Sequence, residues 1–134
     1  MGAWGSGIFE NDTACDFAAT VSNGGGISLV DKALDRVLAC GSNYLEAPDA
    51  EECLAAAEII ARLNGSPGEE TPYTASVDAW IKSSRATVSI EVLEKAKQGI
   101  NRVLSPPSEL VELWKGSDDF DGWRRSVEGL LARL

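Results

Sequence analysis

Residues 1–16 read MGAWGSGIFENDTACD and form a leader in which three glycines and two large aromatic residues precede a helix-start signal. Glycine lets the backbone approach other groups closely, whereas Trp4 and Phe9 are costly to leave in water. The types at residues 11–13, Asn, Asp and Thr, are those that cap the N-terminus of a helix. The stretch therefore predicts a leader packed against a helical body.

Downstream of the leader, apolar residues recur three and four positions apart, as on one face of a helix. The stripes lie within residues 14–21, 30–38, 50–61, 77–81, 93–104, 110–114 and 120–134. Helix breakers separate them, and the run Asn-Gly-Gly-Gly at 23–26 is predicted to end the first helix. No stretch alternates with period two long enough for a convincing strand. The pattern predicts a single all-α domain over residues 1–134, an irregular antiparallel bundle of about six helices.

The chain carries 12 basic and 21 acidic residues, for a net charge of −9. This balance opposes binding to nucleic acid, whose affinity comes largely from cationic contacts to phosphates. It would instead speed association with a basic protein, although a merely solvated acidic surface is the more general explanation of such a charge. No apolar run approaches the length of a membrane span and the N-terminus lacks a secretory signal pattern, so we expect no membrane association and a cytoplasmic location.

The sequence contains no histidine, which removes the commonest general base, proton shuttle and metal ligand. Ser-His-Asp and Cys-His catalysis are therefore excluded. Cys15, Cys40 and Cys53 show no C-x-x-C spacing, and we expect them to be reduced. No catalytic residue is predicted, and the composition favours a protein that is not an enzyme.

The leader, together with SELVELW at 108–114 and DFDGWR at 119–124, resembles the bacterial family catalogued as domain of unknown function 4259. The residues that carry the resemblance are Trp4, Gly5, Gly7, Phe9, Asn11, Asp12, Asp16, Trp114 and Trp123. The similarity spans the whole chain. It implies a bacterial, intracellular protein and brings no activity, substrate or catalytic residue with it.

The leader offers one candidate ligand site. Asp12 and Asp16 are four residues apart and share a helix face if the helix begins early, while Trp4 and the glycine-rich turn would form one wall of a pocket. With Asn11 they would bind a cation or a small polar ligand. The alternative is structural: Asn11 or Asp12 caps the helix and Asp16 favours its positive end.

A second candidate site lies near the C-terminus. Residues 117–128 follow the spacing of a calcium-binding loop, with Asp119, Asp121 and Glu128 as carboxylate ligands, except that Ser117 occupies the first ligand position. Ca²⁺ or Mg²⁺ would suit such oxygen ligands. The alternative is that Ser117 caps a helix whose first turn is acidic.

Two functions stay open on this evidence. The first is a small acidic protein-binding module without enzymatic activity or cofactor, immunity- or antitoxin-like, that masks a basic partner. The second is an enzyme or sensor that uses carboxylates and a divalent cation. The oligomeric state cannot be read from the sequence.

Overall fold

The structure is a computed structural model that describes residues 3–134. Within that range the chain forms seven α-helices, a π turn at Val21–Gly25 and a 3-10 turn at Pro72–Thr74. The helices are α1 (Asp12–Thr20), α2 (Gly26–Cys40), α3 (Ala47–Leu63), α4 (Ala75–Ser83), α5 (Ile90–Leu104), α6 (Glu109–Lys115) and α7 (Phe120–Ala132). The extended pairings in this range are two isolated bridges, Ala3 with Asn11 and Leu45 with Ser108. The prediction of an all-α bundle is confirmed.

Helix α3 is the centre of the bundle, and α1, α2, α4, α5, α6 and α7 all pack against it. From Cys53 to Arg62 every one of its residues is buried. The sequence predicted a one-sided apolar face, but a helix enclosed by neighbours is buried all round. Alanines allow the close approach, and so does Gly99 of α5, where a Cβ would lie 2.8 Å from the Sγ of Cys53.

The connection between α1 and α2 contains the predicted break. The glycines of 23–26 were expected to end the first helix, and the backbone leaves helical geometry at Asn23 and Gly24 before α2 begins. Gly24 has a φ of 125° and Gly26 a φ of 60°, values that an L side chain rarely adopts. The glycines therefore produce a kink that redirects the helix.

Phe9 is buried, as the leader prediction requires, but Trp4 is 47% exposed. The expectation that both aromatics would be held in the core is wrong for Trp4. Its ring packs instead on Tyr73 of the 3-10 turn, with 5.2 Å between ring centroids. Because Tyr73 is itself on the surface, the contact holds Trp4 without burying it.

Across the part of the chain that the structure describes, the helices fall short of the length and apolarity that a membrane crossing requires.

Candidate functional site

The leader is a closed loop built around the carboxylate of Glu10. The backbone N–H of Trp4 donates to the carbonyl of Glu10 at 3.0 Å, and that of Glu10 donates to the carbonyl of Gly7 at 3.1 Å. The Glu10 side chain folds back and accepts a hydrogen bond from the Gly7 N–H at 2.9 Å. At Gly5 or Gly7 a Cβ would lie within 2.7 Å of this carboxylate. A larger residue at either position would require the Glu10 carboxylate to move from its place in the loop.

The loop passes into α1 through Asn11. Its side-chain oxygen accepts a hydrogen bond from the Ala14 N–H at 2.8 Å, so Asn11 is the N-cap. Phe9, two residues before it, is buried in the core. The end of the leader is therefore anchored twice, by the burial of Phe9 and by the capping hydrogen bond of Asn11.

Beside the leader, four charged side chains from two helices and the C-terminal end form a network that we call the ionic cluster: Glu58 and Arg62 of α3, Asp78 of α4, and Arg133 just after α7. The Glu58 and Arg62 side chains are only 4% and 2% exposed. Buried charges are stable only when paired and hydrogen-bonded. Glu58 accepts from both arginines, and Arg62 donates to both acids.

The pairing is reflected in the pKa of Asp78. Burial acts to raise this pKa, but the hydrogen bonds from Arg62 and Thr74 and the positive charge of Arg62 outweigh it, and the pKa lies below the ordinary value. Further donors of the two arginines bind backbone carbonyls, since Arg62 donates to the carbonyl of Glu69 and Arg133 to that of Ser66. The two positive charges of the ionic cluster are therefore balanced by two carboxylates.

A cleft of about 170 Å³ lies between the leader and the ionic cluster, and we call it the leader cleft. One wall is the leader from Gly7 to Glu10. The others come from α3, from α7 and its end, and from the loop that precedes α4. Charged and polar residues, among them Glu58, Arg62 and Arg133, line the leader cleft.

On its other side the leader covers a second group of residues. Gly7 and Asn11 border a gap of about 10 Å³ with Glu51, Trp114 and Trp123, which is too small for more than a water molecule. The two indoles stack at 6.1 Å between centroids and are buried. Residues from both ends of the sequence therefore meet against α3.

Glu51 is 9% exposed at this place. Burial raises its pKa, and the negative charges of Asp12 and Glu109 add to the effect, against an opposing hydrogen bond from Thr13. A carboxyl group that resists ionisation indicates a locally negative and desolvated environment.

Acidic residues dominate the neighbouring surface, where the loop before α3 meets α6. We call Tyr44, Glu46, Glu109 and Glu112 the acidic face. The Tyr44 hydroxyl, on a side chain 49% exposed, donates to Oε1 of Glu112 at 3.3 Å. Partial desolvation raises the pKa of Tyr44, and the charges of Glu112, Glu109 and Glu46 raise it further. The negative charges of these three carboxylates therefore act on one exposed tyrosine, and Glu112 contacts it directly.

Two interactions hold the acidic face in position. Glu109 accepts a hydrogen bond from the Ala47 N–H at 2.7 Å, which caps the first turn of α3 from a different helix. Arg102 donates to the carbonyl oxygens of Gly41, Asn43, Ser105 and Pro107, all within 3.0 Å. Arg102 thereby links the loop after α2 to the loop after α5, and it forms no ion pair with the carboxylates of the acidic face.

The structure places the predicted ligand residues Trp4, Asn11, Asp12 and Asp16 in one region but does not gather them around a pocket. Asn11 is buried as the N-cap, whereas Asp12 and Asp16 are exposed on α1. Trp4 faces Tyr73. The structural alternative for Asn11 is confirmed, and a ligand-binding role for the set stays a prediction.

The calcium-loop spacing of residues 117–128 falls largely on helix α7, and metal binding by Asp119, Asp121 and Glu128 stays a prediction. Helix α7 begins at Phe120, so Asp121 and Glu128 lie on a regular helix, nearly two turns apart. Glu128 pairs instead with Arg124 at 3.3 Å. Asp119 occupies the N-cap position without a side-chain cap bond. Among residues 3–134, no three His, Cys, Asp or Glu side chains are grouped to hold a metal ion.

Sequence reasoning missed Glu58, Arg62, Asp78 and Arg133. The only local signal was the Glu58 to Arg62 spacing of four, which also describes many exposed pairs. What marks these residues is burial, which depends on the packing of α3, α4 and the end of α7.

Fold and site together define a small all-α domain with a closed glycine-aromatic leader. A family model, described as Domain of unknown function (DUF4259), matches residues 2–126, and the chain belongs to this family. Searches of curated proteins and of solved structures gave no significant match.

Proposed function

We propose that this protein is a non-enzymatic binding module for a basic protein, immunity- or antitoxin-like in its mode of action. The observation that carries the proposal is the acidic face. Among the described residues, no lysine or arginine lies within 4.0 Å of the carboxylates of Glu46, Glu109 or Glu112. A surface with unpaired charge of one sign favours a partner of the other sign.

Some acids elsewhere on the surface are paired. Lys95 bridges Asp31 at 3.1 Å and Asp35 at 2.8 Å, and Arg36 pairs with Glu52 at 2.8 Å. Those carboxylates are neutralised within the fold. Within the described chain, the carboxylates of the acidic face have no such pairing, and they lie beside an exposed tyrosine.

The acidic face also offers apolar contact area. Tyr44 is 49% exposed, and Leu113 beside Glu112 is 40% exposed. Tyrosine is enriched among residues that dominate binding energy in protein interfaces, while surrounding charges steer the encounter. An exposed tyrosine beside carboxylates combines apolar contact area with electrostatic steering.

The test is capture of a basic partner from a bacterial lysate by the whole chain, with the partner identified by mass spectrometry. We expect a basic protein whose binding weakens as salt is raised, because salt screens exposed charge pairs. Glu46→Lys/Glu112→Lys should abolish the capture. Glu91→Lys/Glu94→Lys on α5 is the matched control, since each pair of substitutions changes the net charge by the same amount, and it should retain the partner.

Three results would count against the proposal. These are recovery of no basic protein, binding that does not respond to salt, and equal loss of binding in both double variants. The immunity-like part has its own test: co-expression with the captured protein should restore growth if that protein is toxic. A harmless partner would remove this part and leave the binding module.

A further inference from the structure

The aromatic pair of Trp4 and Tyr73 is another exposed apolar feature of the described residues. The ring centroids lie 5.2 Å apart with 52° between the ring planes, and the residues are 47% and 42% exposed. Exposed aromatic faces are costly in water unless they meet a partner. Their negative π faces attract cations.

The pair is held in place by backbone on both sides. The Trp4 N–H donates to the Glu10 carbonyl, and the Tyr73 N–H donates to Oγ1 of Thr71 at 3.2 Å. Glu10 and Thr71 both line the leader cleft. The contact between the two rings therefore links the leader to the 3-10 turn, beside two residues that line the leader cleft.

The charge next to the pair is negative. Arg62 and Arg133 line the leader cleft, but both already donate hydrogen bonds to carboxylates of the ionic cluster and to backbone carbonyls. Glu69 and Glu70 are exposed, and no lysine or arginine in the described chain lies within 4.0 Å of their carboxylates. Glu70 is three residues before Tyr73, at most about 11 Å along the chain.

We propose that the aromatic pair receives an arginine side chain of the basic partner, with Glu69 and Glu70 as its counter-charges. A guanidinium group is planar and weakly hydrated, stacks on aromatic rings and matches a carboxylate with two hydrogen bonds. This site rests on the proposed function and adds to it the kind of side chain that is recognised. It is separate from the acidic face, which allows the two to be tested independently.

The experiment follows the four Trp indole N–H signals of the ¹⁵N-labelled chain by NMR. The probe is the peptide acetyl-Gly-Arg-Gly-amide at millimolar concentration, and its neutral analogue carries citrulline in place of arginine. We expect the arginine peptide to shift the Trp4 signal while that of Trp123, which is 3% exposed, stays in place. The citrulline peptide should leave both unchanged.

Matched variants complete the test. Tyr73→Ala and Glu69→Gln/Glu70→Gln should each weaken binding of the arginine peptide about two- to fivefold, the size of a surface cation–π contact or an exposed ion pair. Tyr44→Ala, which removes an equally exposed tyrosine on the acidic face, should have no effect. Trp4→Phe should retain binding of the arginine peptide. Because this variant lacks the Trp4 indole, its binding is measured from the backbone signals of residues 69–73.

An unmoved Trp4 signal, an equal response to citrulline, or an equal effect of Tyr44→Ala would each overturn the inference. None of these results bears on capture of a basic protein through the acidic face. Conversely, failure of the unmodified chain to capture any basic protein, with an intact arginine response, would overturn the proposed function and leave the arginine site standing.

Discussion

Replacing Arg62 with methionine tests whether the ionic cluster holds α3, α4 and the C-terminal end together. The substitution keeps most of the apolar stem and removes the charge. Glu58 would lose one of its two arginines, and Asp78 would lose its bridging partner. The matched control is Arg124→Met on α7, because Arg124 and Glu128 form another Arg–Glu pair four residues apart, but with side chains 56% and 51% exposed.

The expected cost follows from burial. Breaking a buried ion pair from one side costs roughly 3–5 kcal/mol, because a charge is left in a low-dielectric environment. The value here should lie near the lower limit, about 3 kcal/mol, because Glu58 keeps Arg133 and the Gly68 N–H. Arg124→Met should cost at most about 0.5 kcal/mol, as for an exposed helical pair.

Thermal unfolding followed by circular dichroism measures the difference. An unfolding entropy of about 2.1 cal/mol/K per residue over 134 residues converts 1 kcal/mol into about 3.6 °C of Tm. Arg62→Met should therefore lower Tm by about 11 °C and Arg124→Met by about 2 °C or less. If the two variants lose the same amount, the ionic cluster does not stabilise the fold through burial and the reasoning fails.

Three further predictions concern single sites. Because burial raises the pKa of Glu51, the folded state binds the Glu51 proton more tightly than the unfolded chain does. The protonated carboxyl therefore contributes stability that is complete below the ordinary pKa of 4.5 and is lost as pH rises through the folded pKa. Glu51→Gln should raise Tm at neutral pH and leave it unchanged well below pH 4.5; a lower Tm at neutral pH would contradict this. Gly99→Ala should lower the free energy of unfolding in urea by about 1–2 kcal/mol, because the new methyl group would clash with Cys53. Adding Cys53→Ala to the same chain should recover part of that loss. Strictly additive effects of the two substitutions would show that residues 53 and 99 do not touch. Asn11→Ala should cost about 1 kcal/mol through loss of the α1 cap, whereas Asn11→Asp should cost little, and equal losses would argue against capping.

Most of the fold could be predicted from the sequence because the relevant signals are local. The apolar spacing within 50–61 and 93–104 corresponds to the buried faces of α3 and α5. The glycines at 23–26 were correctly read as a break in a helix, but local rules do not distinguish a turn from a kink. That choice depends on whether neighbouring helices allow the chain to continue.

The candidate site was predicted less well. The Asn11 cap and the burial of Phe9 follow from neighbouring residues and were found. The calcium-loop spacing falls largely on α7, because the apolar residues within 120–134 follow helical spacing. The exposure of Trp4 was missed because its partner, Tyr73, lies 69 positions away in the sequence.

The sequence by itself determined the helices, their breaks, the packed leader and the absence of histidine chemistry, since each depends on residue type or on neighbours within one or two turns. Only the tertiary structure decided which charges are buried and which are left unpaired. Glu58 and Arg133 are 75 residues apart, and Tyr44 and Glu112 are 68 apart. Whether a carboxylate is neutralised or exposed depends on what the fold places within a few ångströms of it, and that distance is not encoded in local spacing.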